Sequence, residues 1–338
     1  MPAGNMGTRE VTARHERNKS KKTDMKKEKK YHGVVVPMVT PLTRDGEIDV
    51  QAVERIAQNF VEWKVSPLLM GTTGEGPSVS IEQGCALIKA VKTACGNKAI
   101  VYTAIPGNCV AEQLLAAERF GVAGADVIAA TLPCYYALTP REMENYFLML
   151  ADTVCLPLMI YNITITTHMS IPLDVVERLS HHPNIVGMKD SENNIPRMEQ
   201  ALELFAGRDD FSYFCGCAAN SAAALKLGAD GIVPSVGNFW PEAYEKLYEA
   251  GIAGRDDEAS AWQQKTIEIG KVNTVGFTLG ESLAGLKVIM KTLGLCEEYM
   301  LPPLMMLDEE RASAVRQAFA QTFGPPPNRP EGRNLGEV

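Results

Sequence analysis

From Gly33 onward the chain alternates short apolar runs with longer amphipathic segments. This rhythm limits the possible folds more than any other feature of the sequence. The runs cover residues 34–39, 67–70, 99–103, 126–130, 158–161, 185–189, 211–215 and 231–234. The segments with helical spacing cover 50–62, 81–94, 111–120, 141–152, 173–180, 195–205, 218–227 and 241–250. Each run is apolar along its length, as expected of parallel strands covered on both faces. Gly124-Ala125-Asp126 and Gly228-Ala229-Asp230 repeat one helix-stop, strand-start device. A doubly wound open sheet would carry a Gly-x-Gly-x-x-Gly turn after its first strand, but Val39-Thr40-Pro41-Leu42 stands there. The expected fold is α/β, a (β/α)8 TIM barrel with additional C-terminal helices. Its barrel spans 32–250, with a helical region over 251–323 patterned at 256–270, 281–293 and 309–323.

Charge separates the ends from the body. Residues 1–30 hold ten Lys or Arg against four Asp or Glu, while the whole chain is at −8 with a pI near 5.3. That excess over the first thirty residues has no apolar face, so 1–31 reads as a disordered basic tail. Gly324-Pro325-Pro326-Pro327 cannot continue a helix and opens a loose tail over 324–338. An acidic chain with 46% apolar residues is expected to bind neither nucleic acid nor membrane, leaving a small molecule as partner. Eight cysteines without framework spacing imply reduced thiols and a cytoplasmic location.

In such a barrel the chemistry sits where strands end at the C-terminal face. The second run leads into Gly71-Thr72-Thr73-Gly74-Glu75-Gly76, whose N–H groups and hydroxyls suit a carboxylate. The fourth ends in Pro133-Cys134-Tyr135-Tyr136, the fifth in Tyr161-Asn162 and the sixth in Lys189-Asp190. Neighbouring strands lie about 4.8 Å apart, so Tyr161 and Lys189 come within reach of each other. A lysine stripped of hydration is a nucleophile toward a carbonyl carbon. Its bland alternative is an ion pair with Asp190, and that of Tyr161 is a core aromatic. Cys215-Gly216-Cys217 and His181-His182 lack the spaced partners of a metal site, and none is expected.

Together these residues resemble the family of dihydrodipicolinate synthase and N-acetylneuraminate lyase. Five stretches carry the resemblance in order: Gly33 to Pro41, Gly71 to Glu75, Pro133 to Tyr136, Tyr161-Asn162 and Gly187 to Ser191. It implies a class I enzyme with neither metal nor cofactor, in which Lys189 forms a Schiff base with a 2-keto acid and Tyr161 moves protons. Thr73 and Tyr135 join them as implied catalytic residues. Thr72, Thr73, Gly74, Thr166 and Val233 are the implied substrate contacts. The resemblance also implies a homotetramer, a dimer of dimers, with Tyr135 supplied by a neighbouring subunit.

Departures from the family pattern bear on the substrate. Residues 161–168 read Tyr-Asn-Ile-Thr-Ile-Thr-Thr-His, with Thr166 where the synthase branch places an arginine. A neutral hydroxyl cannot form the bidentate pair that an arginine makes with a carboxylate. The expected function is therefore a Schiff-base lyase, aldolase or dehydratase acting on pyruvate or a 2-keto-3-deoxy sugar acid. Thr164, Thr166 and Thr167 are then candidate contacts for a polyol. The alternatives are 4-hydroxy-tetrahydrodipicolinate synthase, N-acetylneuraminate lyase, a metal-dependent barrel aldolase, or a catalytically silent barrel with a binding role.

Overall fold

The computed structural model describes residues 29–323. The two tails inferred from composition lie outside the described residues, except for the stretch 29–31. Tyr31 opens the compact unit. It is buried, its ring edge-on to Tyr102 with centroids 6.4 Å apart. The body thus begins one residue earlier than the charge pattern implies, because an aromatic ring seals the foot of the barrel.

Eight strands form the barrel: β1 (Gly33–Pro37), β2 (Ser66–Leu69), β3 (Tyr102–Ala104), β4 (Val127–Ala130), β5 (Leu158–Asn162), β6 (Ile185–Asp190), β7 (Ser212–Cys215) and β8 (Gly231–Ile232). Each runs parallel to the next, and β8 returns to β1 through Gly33↔Gly231 and Val34↔Ile232, which closes the ring. Side-chain alternation explains the uninterrupted apolar runs. Val35, Leu68, Tyr102, Val127, Met159 and Phe214 pack together inside the barrel, while Val36, Leu69, Ile128, Ile160 and Met188 join the larger core beneath the helices.

The crossovers are α1 (Val50–Glu62), α2 (Ile81–Cys95), α3 (Val110–Ala123), α4 (Pro140–Thr153), α5 (Thr164–Thr167), α6 (Leu173–Leu179), α7 (Ile195–Leu204), α8 (Ser221–Leu227) and α9 (Pro241–Ile252). Beyond them α10 (Asp256–Lys271) packs on α8 and α9, and α11 (Leu279–Thr292) packs on α12 (Glu309–Phe323). Capping boxes start α2, α4 and α11, each pairing a Ser or Thr with a Gln or Glu at the third helical position. The repeated Gly-Ala-Asp device has a structural meaning. Gly124 and Gly228 end α3 and α8 at φ of +113° and +101°, backbone that L side chains avoid. Asp126 then accepts the Val101 N–H and Asp230 the Tyr213 N–H, both at 2.9 Å, so each tethers its strand to the preceding one.

Several local readings differ from the observed elements. β3 starts at Tyr102 rather than at residue 99, and residues 218–220 form a 3-10 turn ahead of α8. The four-residue α5 was not legible, because its Thr-Ile-Thr-Thr sequence is β-branched throughout and a poor helix former. Among the described residues no helix is long and apolar enough to cross a membrane.

Candidate active site

A register shift sets the centre of the site. β5 and β6 pair Leu158 with Ile185, but then Met159 with Gly187, so β6 gains one residue between these pairs. From there Tyr161 lies opposite Lys189 and Asn162 opposite Asp190. Without the shift Tyr161 would face Met188, whose side chain belongs to the outer core. Bulges that re-aim side chains beside active sites work in this way.

Lys189 is 4% exposed and Tyr161 3% exposed. The lysine Nζ sits 3.7 Å from the centroid of the tyrosine ring, against its negative face. The Tyr161 hydroxyl lies 3.4 Å from Thr72 Oγ1. Asp190 is turned away: it accepts from Arg197 Nε at 2.7 Å and from Asn162 Nδ2 at 2.9 Å. Asn162 also donates to Glu192 Oε1 at 2.8 Å and accepts the Ile171 N–H at 3.2 Å. Together with the Arg197 bond to the Ile171 carbonyl, these contacts fasten the stretch 163–171 behind the paired strand ends.

The opposing wall is the turn after β2. Met70 and Glu75, at its two ends, have φ of +52° and +56°. Left-handed backbone at a non-glycine residue costs of order 1 kcal/mol or more and persists where packing dictates it. Inside the turn the N–H groups of Gly74, Glu75 and Gly76 bond to the carbonyls of Gly71, Thr72 and Gly71. The Gly74 carbonyl accepts from Thr40 Oγ1 at 2.6 Å, and a Cβ at Gly74 would lie 2.7 Å from the Met38 carbonyl oxygen. Gly74, an implied substrate contact, therefore has its N–H bonded within the turn and its carbonyl bonded to Thr40. The hydroxyl that reaches Tyr161 belongs to Thr72 rather than Thr73.

A cleft of about 290 Å³ opens between this turn and the C-terminal helices, lined by Thr72, Glu75, Tyr161, Thr166, Leu283 and Leu304 among others. Thr166 faces it, whereas the Thr167 hydroxyl is buried and spent on the Ile163 and Met169 carbonyls. Val233 belongs to the apolar cluster inside the barrel. Tyr135 is 78% exposed on the loop after β4, its ring edge-on to that of Tyr136 at 5.0 Å. The N–H groups of Cys134 and Tyr135 both donate to Asn108 Oδ1.

Sequence patterns did not single out Glu75 and Lys287. Both are fully buried, and Lys287 Nζ donates to Glu75 Oε1 and, at 2.6 Å, to the Tyr299 carbonyl. The second Glu75 oxygen accepts the Leu301 N–H at 2.7 Å. The available signal was a lone lysine in the apolar stretch Gly285-Leu286-Lys287-Val288-Ile289-Met290. The other polar clusters are structural: Cys215 Sγ contacts the Cys217 carbonyl, His181 pairs with Glu177 and His182 with Asp152. Among the described residues no three His, Cys, Asp or Glu side chains converge as metal ligands.

An eight-stranded parallel barrel with a buried lysine and tyrosine side by side at its C-terminal face defines a class of barrel lyases. The chain belongs to the dihydrodipicolinate synthetase family, whose model matches residues 30–322. It is with that family a class I, Schiff-base-forming enzyme. It is 28% identical over 292 residues to the probable 2-dehydro-3-deoxy-D-pentonate aldolase YjhH of Escherichia coli, covering 85% of this chain and 96% of that protein. It is 30% identical over 289 residues to 4-hydroxy-tetrahydrodipicolinate synthase 1 of Streptomyces coelicolor, covering 84% and 92%. The solved dihydrodipicolinate synthase of Bacteroides thetaiotaomicron superposes with a TM-score of 0.82 at 27% identity, over 87% of this chain and 99% of that one.

Proposed function

We propose that Lys189 carries the imine and that this enzyme cleaves or forms a carbon–carbon bond next to pyruvate, with a 2-keto-3-deoxy sugar acid as the substrate class. The observation that carries the reading is the stacked pair itself: a buried amine on the ring of a tyrosine whose hydroxyl meets Thr72. The Lys189 amine adds to the keto carbon and water leaves, giving an iminium ion. Tyr161 gives its proton to the departing hydroxyl as water leaves; in cleavage, the electron pair of the C3–C4 bond then moves toward the iminium nitrogen as the Tyr161 phenolate takes the proton of the C4 hydroxyl. Protonation of the enamine at C3 and hydrolysis then release pyruvate and restore the amine. Thr72 and Thr73 receive the carboxylate, and Thr72 also orients the Tyr161 hydroxyl.

Thr166 supports the sugar-acid class over the synthase reaction, since it offers the cleft a neutral hydroxyl. A relative named as a probable pentonate aldolase points the same way. The exposed Tyr135 suits a residue lent to a neighbouring subunit, in a homotetramer built as a dimer of dimers. Eight free thiols suit the cytoplasm.

The test is reductive trapping. Pyruvate with borohydride is expected to add one reduced pyruvyl group, mapped to the peptide containing Lys189 and absent from Lys189→Ala. An adduct on another lysine, or none, overturns the imine. In a panel of 2-keto-3-deoxy sugar acids, sialic acid and aspartate semialdehyde, the first class is expected to give the highest kcat/KM. A preference for aspartate semialdehyde would move the enzyme to the synthase reaction.

A further inference from the structure

We propose that the buried Glu75–Lys287 pair is a positioning device that holds Thr72 against Tyr161, which makes the C-terminal helices part of the catalytic apparatus. The inference rests on the imine reading above. It starts from an asymmetry: the turn 71–76 carries the Thr72 hydroxyl that meets Tyr161, yet Met70 just before it and Glu75 within it stand in left-handed backbone. Such a turn keeps its shape only if something outside it does the holding. Thr40 grips it from the segment after β1 through the Gly74 carbonyl. Apart from the Thr72–Tyr161 contact itself, the other side-chain hydrogen bonds that the structure shows on it run through the Glu75 carboxylate. One oxygen is taken by Lys287 of α11 and the other by the Leu301 N–H, while Lys287 is itself fixed by the Tyr299 carbonyl.

Energetics favour a geometric role over a stabilising one. A buried ion pair is commonly matched or exceeded in stability by apolar side chains of similar volume, because desolvation offsets the attraction. What it provides is directional: one ionic partner and one backbone N–H fix the carboxylate, and a backbone carbonyl fixes the ammonium in turn. Glu75 also lines the cleft, but its charge is already matched by Lys287, so the carboxylate is not available as a substrate contact. The pair bridges 212 residues of sequence and joins the turn to the C-terminal helical region, which supplies Leu279, Leu283 and Leu304 to the cleft.

A double-mutant cycle tests the proposal. The single changes Lys287→Met and Glu75→Gln each strand a buried charge and are expected to unfold readily. The neutral double variant Glu75→Gln/Lys287→Met removes both charges and keeps the volume, so it is the informative protein. It is expected to fold with a melting temperature near that of the parent. Its kcat and its rate of pyruvate trapping should fall at least tenfold, and Lys287→Arg should restore part of both. Thr72→Val should lower kcat in the parent but add little to the double variant, because the two changes act through one contact. Additive losses, or a folded double variant within about twofold of the parent kcat, would overturn the positioning role. Should the neutral variant also fail to fold, the pair is a stability element and the proposal falls. A parent protein that traps no pyruvate overturns the imine reading and this inference with it. A parent that traps pyruvate while the folded double variant traps it equally fast overturns only the positioning role.

Discussion

Tyr102 and Tyr161 are buried tyrosines on strands of the same barrel, at opposite ends of its interior. Tyr161 sits at the C-terminal end of β5 with Lys189 on its ring and Thr72 at its hydroxyl. Tyr102 begins β3 at the foot, 1% exposed, edge-on to Tyr31 and to Phe214 at 6.4 and 6.2 Å. Its hydroxyl has no hydrogen-bond partner. Burial, with Tyr31 and Asp126 nearby, pushes its ionisation well above the usual tyrosine range. The same side chain is thus a candidate acid–base group at one end and a plug at the other. The difference lies in what the strand ends bring near it, and it follows the general division of such barrels into a catalytic face and a stability face.

The comparison is broken most sharply by removing the two hydroxyls in turn. Tyr161→Phe keeps the ring beneath Lys189 but deletes the proposed proton carrier, so kcat is expected to fall by about 10²- to 10⁴-fold with little change in melting temperature. Steady-state kinetics on the best substrate checks this, and a loss within about threefold would make Tyr161 a packing residue. Tyr102→Phe should do the reverse. It deletes a buried hydroxyl that finds no partner, so turnover should hold while stability rises by about 1 kcal/mol. Denaturant unfolding measures that gain, and a loss of stability would show that the hydroxyl is satisfied in solution.

A smaller effect separates the two ends by pH. Near the foot of the barrel, burial and then the charge of Glu249 push the Glu245 carboxyl up to about 7, against the opposing pull of Lys64 and His32. Its folded-state value lies above its unfolded one, so the ionised form is penalised in the native state. That penalty is fully present above about pH 7 and is relieved as the pH falls toward the unfolded value near 4.5. Glu245→Gln should therefore raise the melting temperature at about pH 8.5, with the gain shrinking to nothing by about pH 4. Thermal melts across that range check it, and a gain independent of pH would sever it from ionisation. The kcat of this variant should follow the parent profile, since the site lies at the other end.

The sequence alone determined the eight-fold alternation, the strand-ending Lys189 and Tyr161, and helices as sharply bounded as Val50–Glu62 and Glu309–Phe323. These are local facts: the periodicity of burial, caps and glycine stops are written within a few residues of where they act. Neighbouring strand ends already put Tyr161 within reach of Lys189, but only the tertiary structure set it opposite Lys189 rather than Met188, because strand register depends on one extra residue that no local pattern marks. It likewise chose Thr72 over Thr73 for the contact with Tyr161, and bonded the Gly74 carbonyl to Thr40 and the Thr167 hydroxyl to the Ile163 carbonyl. The Glu75–Lys287 pair was the least legible feature. A buried charge is tolerable only beside its partner, and here the partner stands 212 residues away in sequence until packing of the C-terminal helices brings the two together.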